Sequence, residues 1–311
     1  MRVASLLSSA TEIVCGLGGA SQLVAISHEC DFPAEILNLP RVTRSIIDSS
    51  APSVVIDREV RQRLEKGLPL YEIDEALLAS LKPDLILTQA QCDVCAIRLE
   101  DVHRFVGRFA TGTVPQVVAL SPNTLDEVLA DVQAVASAMG MKEQAHDYLA
   151  VLNSRIGAVQ ERAKRREDAV RPRVLCVEWT EPLMIAGNWT PDLIERAGGE
   201  SGLSILGKHS PTVEWHQVYD FAPDIVLIAP CGFGLQRSRT EVDSLLAKGR
   251  LQPLRAIHDG KAFVLDGNAL FNRSGPRLVE TLEVISDLLH STSDHIRLAS
   301  DAWYEPITET C

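Results

Sequence analysis

The hydrophobic pattern of this chain alternates short apolar runs with apolar stripes at helical spacing. Short apolar runs are typical of strands buried in parallel sheets. The predicted strands are residues 3–7, 23–27, 85–88, 117–120, 174–178, 225–229 and 262–265. Helices are predicted over residues 53–66 and about 276–289. The pattern therefore predicts an α/β fold with central parallel sheets.

One α/β unit occurs twice in the sequence. Residues 76–92 give a short helix, a Pro-Asp pair, an apolar strand and a cysteine, and residues 215–231 repeat this order. Segments 9–19 and 190–199 each give a helix that ends in a glycine pair. Two copies of one unit predict two similar lobes, residues 1–122 and 171–290, with a ligand cleft between them and a polar tail, residues 291–311.

The segment between the lobes, residues 123–170, is predicted to be a backbone helix rather than a flexible linker. Apolar residues from Leu125 to Val159 recur at helical spacing. At 1.5 Å per residue, about 40 helical residues would span roughly 60 Å. A break into two helices at Gly140 is the alternative, and the sequence leaves both open.

Composition restricts the class of protein. Hydrophobic residues make up 46% and charged residues 23% of the 311 residues, as in soluble globular proteins. The net charge of −12 argues against nucleic acid and anionic membranes as partners, and no apolar run could span a membrane. Glu12 interrupts any signal-peptide core, and Ser9 with Glu12 predicts a capping box, so we expect a cytoplasmic protein.

Several segments together carry a resemblance to a known family. They are the two Pro-Asp strand units, Ser8-Ser-Ala-Thr-Glu-Ile, Asn188-Trp-Thr-Pro-Asp-Leu-Ile-Glu-Arg-Ala-Gly-Gly and Gly275-Pro-Arg-Leu-Val-Glu. Over nearly its whole length the chain resembles the class III substrate-binding proteins, which bind cobalamin and iron-siderophores for ABC uptake systems. Within them it looks like the cytosolic cobalamin-binding branch. The resemblance implies a corrinoid or related metal-chelate ligand, no catalysis, and a permease or corrinoid-using enzyme as partner.

Candidate ligand contacts follow the predicted strands, because ligands of open α/β sheets bind beyond the carboxyl ends of the strands. Aromatic residues make up only 5% of the chain, yet three of its four tryptophans fall at such ends. The expected contacts are His28, Glu29, Tyr71, Gln91, Trp179, Asn188, Trp189, Trp215, Phe233, Asn272 and Arg273. Core packing is the alternative for each aromatic residue, and stabilisation of their own loop is the alternative for Asn272 and Arg273.

Cysteines supply a second kind of candidate site. Cys92 and Cys95 have metal-ligand spacing, and Cys30, His28 and Cys231 also follow predicted strands. These five residues could coordinate zinc, an iron–sulfur centre or the metal of a corrinoid. Cys30 and Cys231 could instead be small buried residues, and Cys92 with Cys95 a redox pair. A zinc or iron–sulfur protein and a thiol-dependent redox or corrinoid-processing enzyme therefore remain alternatives. No nucleophile motif or phosphate loop occurs, which favours a binding protein over an enzyme.

Overall fold

A computed structural model describes residues 1–90, 97–108, 114–165, 170–290 and 303–308. The chain divides into two compact units. Unit 1 comprises Met1–Pro122 and Asp126–Val151, and unit 2 comprises Asn123–Leu125 and Leu152–Cys311. Each unit contains its own sheet, which confirms the predicted two-lobed α/β fold. The predicted cleft between the lobes stays a prediction.

Unit 1 is built on a parallel sheet of four strands in the order β2-β1-β5-β6. Its strands are β1 (Val3–Ser5), β2 (Leu23–Ala25), β3 (Thr43–Ser45), β4 (Tyr71–Ile73), β5 (Leu85–Gln89) and β6 (Gln116–Leu120). Strands β3 and β4 form a separate antiparallel pair. The helices are α1 (Ser8–Gly16), α2 (Ser53–Glu65), α3 (Glu75–Ser80) and α4 (Leu99–Val106). Residues of β1, β2 and β5 form the core with Leu78, Val102 and Phe105 from α3 and α4.

Unit 2 has a mixed sheet in the order β12-β11-β10-β7-β8, with β9 also paired to β7. Its strands are β7 (Arg173–Trp179), β8 (Met184–Ile185), β9 (Glu200–Ser201), β10 (Ile225–Ile228), β11 (Ala262–Leu265) and β12 (Tyr304–Pro306). The central strands β7, β10 and β11 are parallel. The helices are α7 (Thr190–Arg196), α8 (Trp215–Phe221), α9 (Leu235–Ala247), α10 (Arg255–His258) and α11 (Leu278–His290), with a π-helix at Gly267–Phe271.

The Pro-Asp repeat has one structural cause in both units. Asp84 precedes β5, and its side chain accepts the backbone N–H of Arg2 at 2.7 Å, directly before β1. Asp224 precedes β10, and its side chain accepts the backbone N–H of Arg173, the first residue of β7, at 2.8 Å. In both cases the aspartate N–H donates to the carbonyl of the same arginine at 2.8 Å. Each aspartate thus fixes the register of two neighbouring parallel strands.

The predicted helix ends are partly confirmed. Gly18 and Gly198 have positive φ angles of 77° and 89°, and each is followed by a glycine whose N–H closes the last helical turn. The capping box proposed for Ser9 is wrong. Helix α1 begins at Ser8 after Leu7, with no side-chain cap, and both Ser9 and Glu12 are buried.

The backbone segment is broken rather than continuous. Helix α5 spans Leu125–Met139, and α6 spans Lys142–Lys164. Gly140 has a positive φ of 71°, and the N–H of Met141 donates to the carbonyl of Ala136 at 2.8 Å. Glycine adopts this backbone conformation without steric cost, so it ends α5. The single 40-residue helix is therefore the alternative that the structure rules out.

The predicted tail contains a strand that the sequence analysis did not predict. Residues 304–306 form β12, which pairs antiparallel with β11 and extends the sheet of unit 2. The short apolar-polar pattern there was too weak to predict a strand. Within the described residues, no helix combines the length and the apolar character that a membrane span requires.

A half-buried carboxyl group in α5 predicts a pH effect on stability. Burial, with the nearby Glu127 charge, raises the pKa of Asp131 to about 7. Its Oδ2 atom is buried and has no hydrogen-bond partner among the described residues. An unfolded aspartate ionises near pH 4, so between about pH 4 and 7 the folded state binds more protons and loses stability as the pH rises.

Asp131→Asn should therefore raise the free energy of unfolding at pH 8, by about 1–2 kcal/mol once solvent screening of this half-exposed group is allowed for. The gain should be much smaller at pH 4.5. Urea unfolding at the two pH values measures the difference. Asp147→Asn, at a side chain that is 90% exposed, is the control and should change neither value much. An equal gain at both pH values would contradict the assigned cause.

Candidate functional site

The carboxyl edge of the unit 2 sheet carries a pair of aromatic residues. Trp179 ends β7, and Phe233 lies in the loop after β10. Their ring centroids are 5.3 Å apart at an interplanar angle of 46°, a favourable tilted arrangement. The indole N–H of Trp179 donates to the carbonyl of Glu181 at 3.1 Å. Trp179 remains half-buried, whereas Phe233 is only 4% exposed. Direct ligand contact therefore stays a prediction for Trp179, and Phe233 packs behind it.

At this edge the backbones of the loops after β10 and β11 pack directly against each other. A Cβ atom on Gly267 would lie 2.1 Å from the carbonyl oxygen of Pro230, so only glycine fits there. The next residue, Asn268, donates its backbone N–H to the carbonyl of Phe233 at 3.0 Å. The position of the aromatic pair thus depends on the close approach of two backbone segments.

Trp189 packs largely inside unit 2, and its predicted ligand contact stays a prediction. It is 8% exposed, and its indole N–H donates to the carbonyl of Phe271 at 2.8 Å. Its neighbour Asn188 has a positive φ of 50°. The backbone N–H of Asn188 donates to the carbonyl of Lys208 at 2.6 Å. The side-chain oxygen of Asn188 is buried without a hydrogen-bond partner among the described residues. A ligand role for Asn188 stays a prediction.

Three further predicted contacts lie in unit 2. Trp215, the first residue of α8, is half-buried and packs on the core with its ring 6.0 Å from Tyr219. Asn272 donates to the carbonyl of Gly267 at 2.6 Å. Arg273 is buried and donates to the side-chain oxygen of Asn268 at 3.0 Å. Asn272 and Arg273 therefore both bond within the π-helix loop, and their predicted ligand contacts stay predictions.

Unit 1 brings three predicted residues together. The rings of His28 and Tyr71 have centroids 5.5 Å apart. The Nδ1 atom of His28 lies 2.7 Å from the hydroxyl of Thr43, and Nε2 lies 3.2 Å from a carboxylate oxygen of Glu29. Tyr71 begins β4 and pairs with β3, on which Thr43 lies. This small polar and aromatic group is half-buried, with Glu29 exposed.

Two of the five predicted metal ligands, Cys30 and Cys231, are cysteines that the structure describes. Cys30 is 1% exposed, and its Sγ atom lies 3.2 Å from the hydroxyl of Thr11, so it is a small buried residue of unit 1. Cys231 is half-buried in unit 2, where its N–H donates to the carbonyl of Glu178 at 2.9 Å. No group of three His, Cys, Asp or Glu side chains among the described residues could hold a metal ion. Gln91, Cys92 and Cys95 lie outside the described residues.

Burial also raises the pKa of two other thiols, Cys15 and Cys176. It raises the pKa of Cys15 to about 12, with smaller contributions from nearby Glu35, Cys30 and Glu12. Burial likewise raises the pKa of Cys176, which lies within β7. Both thiols stay protonated at neutral pH, so neither is a ready nucleophile; Cys176 is buried in the core, whereas Cys15 is partly exposed.

Sequence reasoning missed a polar group behind Phe233 that consists of Thr180, Arg237 and Glu241. Arg237 lies 4.6 Å above the Phe233 ring and pairs with Glu241 at 3.0 Å, and Glu241 accepts the hydroxyl of Thr180. The only signal in the sequence was an Arg-x-x-x-Glu spacing on α9. That spacing is common on exposed helix faces, so it did not indicate a buried role.

Comparisons with known proteins identify a family. The family described as "Periplasmic binding protein" matches residues 3–269. The vitamin B12-binding protein of Pectobacterium carotovorum is 24% identical over 294 residues, which cover 94% of this chain and 89% of that protein. The vitamin B12-binding protein of Yersinia pestis is 22% identical over 280 residues, 89% of this chain and 82% of that protein.

Solved structures show the same fold. A periplasmic heme binding protein from Pseudomonas aeruginosa has a TM-score of 0.71 at 19% identity, covering 99% of this chain and 95% of that one. The periplasmic vitamin B12 binding protein of Vibrio cholerae has a TM-score of 0.63 at 20% identity, covering 96% and 98%. Because the family matches most of the sequence, the chain belongs to the periplasmic binding protein family, whose members are non-enzymatic binders of small-molecule ligands.

Proposed function

We propose that this chain binds a corrinoid, a cobalamin-like metal chelate, at the carboxyl edge of the unit 2 sheet. The vitamin B12-binding relatives, which align with about nine-tenths of the chain, support this ligand class. The proposal rests on the partial exposure of Trp179 at this edge, where its ring packs against the buried ring of Phe233. A large planar ligand gains most from such a rigid aromatic surface.

Heme is the second candidate ligand. It is favoured by the pairing of His28 and Tyr71 in unit 1, since imidazole and phenolate groups are both axial ligands of heme iron. Fold similarity to heme-binding proteins supports it as well. However, both ring nitrogens of His28 lie near internal partners, so iron coordination by His28 would require one of these contacts to break.

Titration of the purified protein with hydroxocobalamin and, separately, with hemin tests the two ligands. We expect a saturable change in the visible spectrum of hydroxocobalamin at micromolar or lower concentration, with one equivalent bound, and weaker binding of hemin. Tighter hemin binding that is lost in Tyr71→Phe would favour the second candidate. Binding of neither chelate, with no co-elution on gel filtration, would contradict the proposal.

The role of a bound corrinoid depends on the partner. Members of this family work with ABC permeases, and a permease or an intracellular corrinoid-using enzyme remains the proposed recipient. The zinc, iron–sulfur and thiol-dependent enzyme alternatives find no support in the described residues or in the family. The cytoplasmic location stays a prediction from the sequence.

A further inference from the structure

The aromatic pair of unit 2 is backed by a chain of polar contacts. The hydroxyl of Thr180 donates to Glu241 at 2.5 Å, and Glu241 pairs with Arg237 at 3.0 Å. The Arg237 guanidinium lies 4.6 Å from the centroid of Phe233, whose ring in turn meets Trp179 at 5.3 Å. Phe233 is thus covered by Arg237 as well as by Trp179.

Burial makes this arrangement unusual for a helical Arg–Glu pair. Glu241 is only 7% exposed, although it lies on α9 at the spacing of an ordinary surface pair. An ion pair with a buried carboxylate gives little net stability compared with apolar side chains of the same volume, because the carboxylate loses most of its hydration, whereas the Arg237 side chain stays 30% exposed. Its advantage is a defined geometry, since each donor and acceptor has one favourable position.

The chain contains a matched arrangement without the carboxylate. Arg173 lies over the ring of Phe221, also at 4.6 Å, at the opposite, amino-terminal edge of the same sheet. There the described contacts include no acidic side chain bonded to the arginine head group. The cation–π contact alone is therefore a general packing device in this unit, and the bonded Glu241 and Thr180 distinguish the one that supports Trp179.

We propose that Thr180, Arg237 and Glu241 are positioning residues that hold Trp179 in its ligand-binding orientation through Phe233. This inference rests on the proposed function and assigns to the same site the residues that pre-organise it. A side chain already ordered before binding loses less conformational entropy when the ligand binds, so affinity rises without any additional contact. The ligand class implied is one with a broad planar face.

Glu241→Gln tests the inference, since it keeps the side-chain volume and the acceptor for Thr180 but removes the charge that binds Arg237. We expect the dissociation constant for hydroxocobalamin to rise about five- to tenfold, as expected for a side chain that must be ordered on binding. The ¹⁵N indole signal of Trp179, assigned with Trp179→Phe, should shift or broaden without ligand. The indole signal of Trp189, which donates to Phe271, should stay unchanged as an internal reference.

Two further variants complete the test. Thr180→Val removes only the hydroxyl and should give a smaller effect of the same sign, which keeps the inference testable if Glu241→Gln fails to fold. Arg173→Gln, at the matched stack on Phe221, should change neither affinity nor the Trp179 signal. Folded Glu241→Gln and Thr180→Val proteins with wild-type affinity and an unchanged Trp179 signal would overturn the inference. If the wild type binds no corrinoid, the proposed function fails, while the indole spectra still decide the positioning role.

Discussion

Gly267→Ala is expected to lower the free energy of unfolding by about 2–3 kcal/mol, the cost of forcing extra volume into a packed interior. The added Cβ would lie 2.1 Å from the carbonyl oxygen of Pro230 and 2.8 Å from the carbonyl carbon of Ala229. Both are backbone atoms in the loop after β10, so no side-chain rotation can relieve the clash. Urea unfolding followed by circular dichroism measures the loss.

A glycine elsewhere in unit 2 supplies the control. Gly157 lies in the middle of α6, and a Cβ atom there would meet no atom within 4 Å. Gly157→Ala should stabilise the protein by about 0.5–1 kcal/mol, because alanine loses less backbone entropy than glycine in a helix. If Gly267→Ala were as stable as the wild type, the close approach of the loops after β10 and β11 would be incorrect.

Trp179→Ala should raise the dissociation constant for hydroxocobalamin by about thirtyfold or more, since central aromatic residues in binding sites typically contribute about 2 kcal/mol or more. The reason is the loss of a large, rigid contact surface that is already positioned by Phe233 and by the bond to Glu181. Trp179→Phe should retain part of the affinity because it keeps an aromatic face. Spectral titration under the same conditions gives the three constants.

Phe221→Leu is the matched control for Trp179→Ala. Phe221 is an aromatic residue of the same unit and is stacked under an arginine, but at the amino-terminal edge of the sheet. We expect its substitution to lower stability slightly and to leave ligand affinity unchanged. Wild-type affinity in a correctly folded Trp179→Ala protein would show that the corrinoid does not bind on this aromatic surface.

The parallel strands and the two-lobed organisation followed from the sequence, because their signals are local and repeated. Each central strand is an uninterrupted apolar run, and the two Pro-Asp pairs mark equivalent positions at which an aspartate bonds the start of the adjacent strand. The local pattern predicted less where two different local structures fitted the same residues. Gly140 allowed either a kinked or a broken helix, and Ser9 offered a cap that α1 does not use.

The sequence predicted which residues lie near strand ends, but not which of them are buried or bonded within their own loops. Strand ends can be read from the sequence, and Trp179, Phe233, His28 and Tyr71 all lie at or near them. The sequence could not show that Phe233 and Trp189 are buried, that Cys30 packs against Thr11, or that Asn272 and Arg273 bond within their own loop. These outcomes depend on contacts between residues that are distant in the chain.

The sequence by itself determined the α/β class, the two sheets and the family, since periodicity and repeated motifs are properties of neighbouring residues. Only the tertiary structure decided which side chain at the carboxyl edge stays accessible. Burial is a property of packed surfaces: Trp179 remains half-buried while Phe233 is enclosed by Arg237 and the indole. The same packing buries the Glu241 carboxylate and places its partner Arg237 over the Phe233 ring, although their spacing in the sequence is that of an ordinary surface pair.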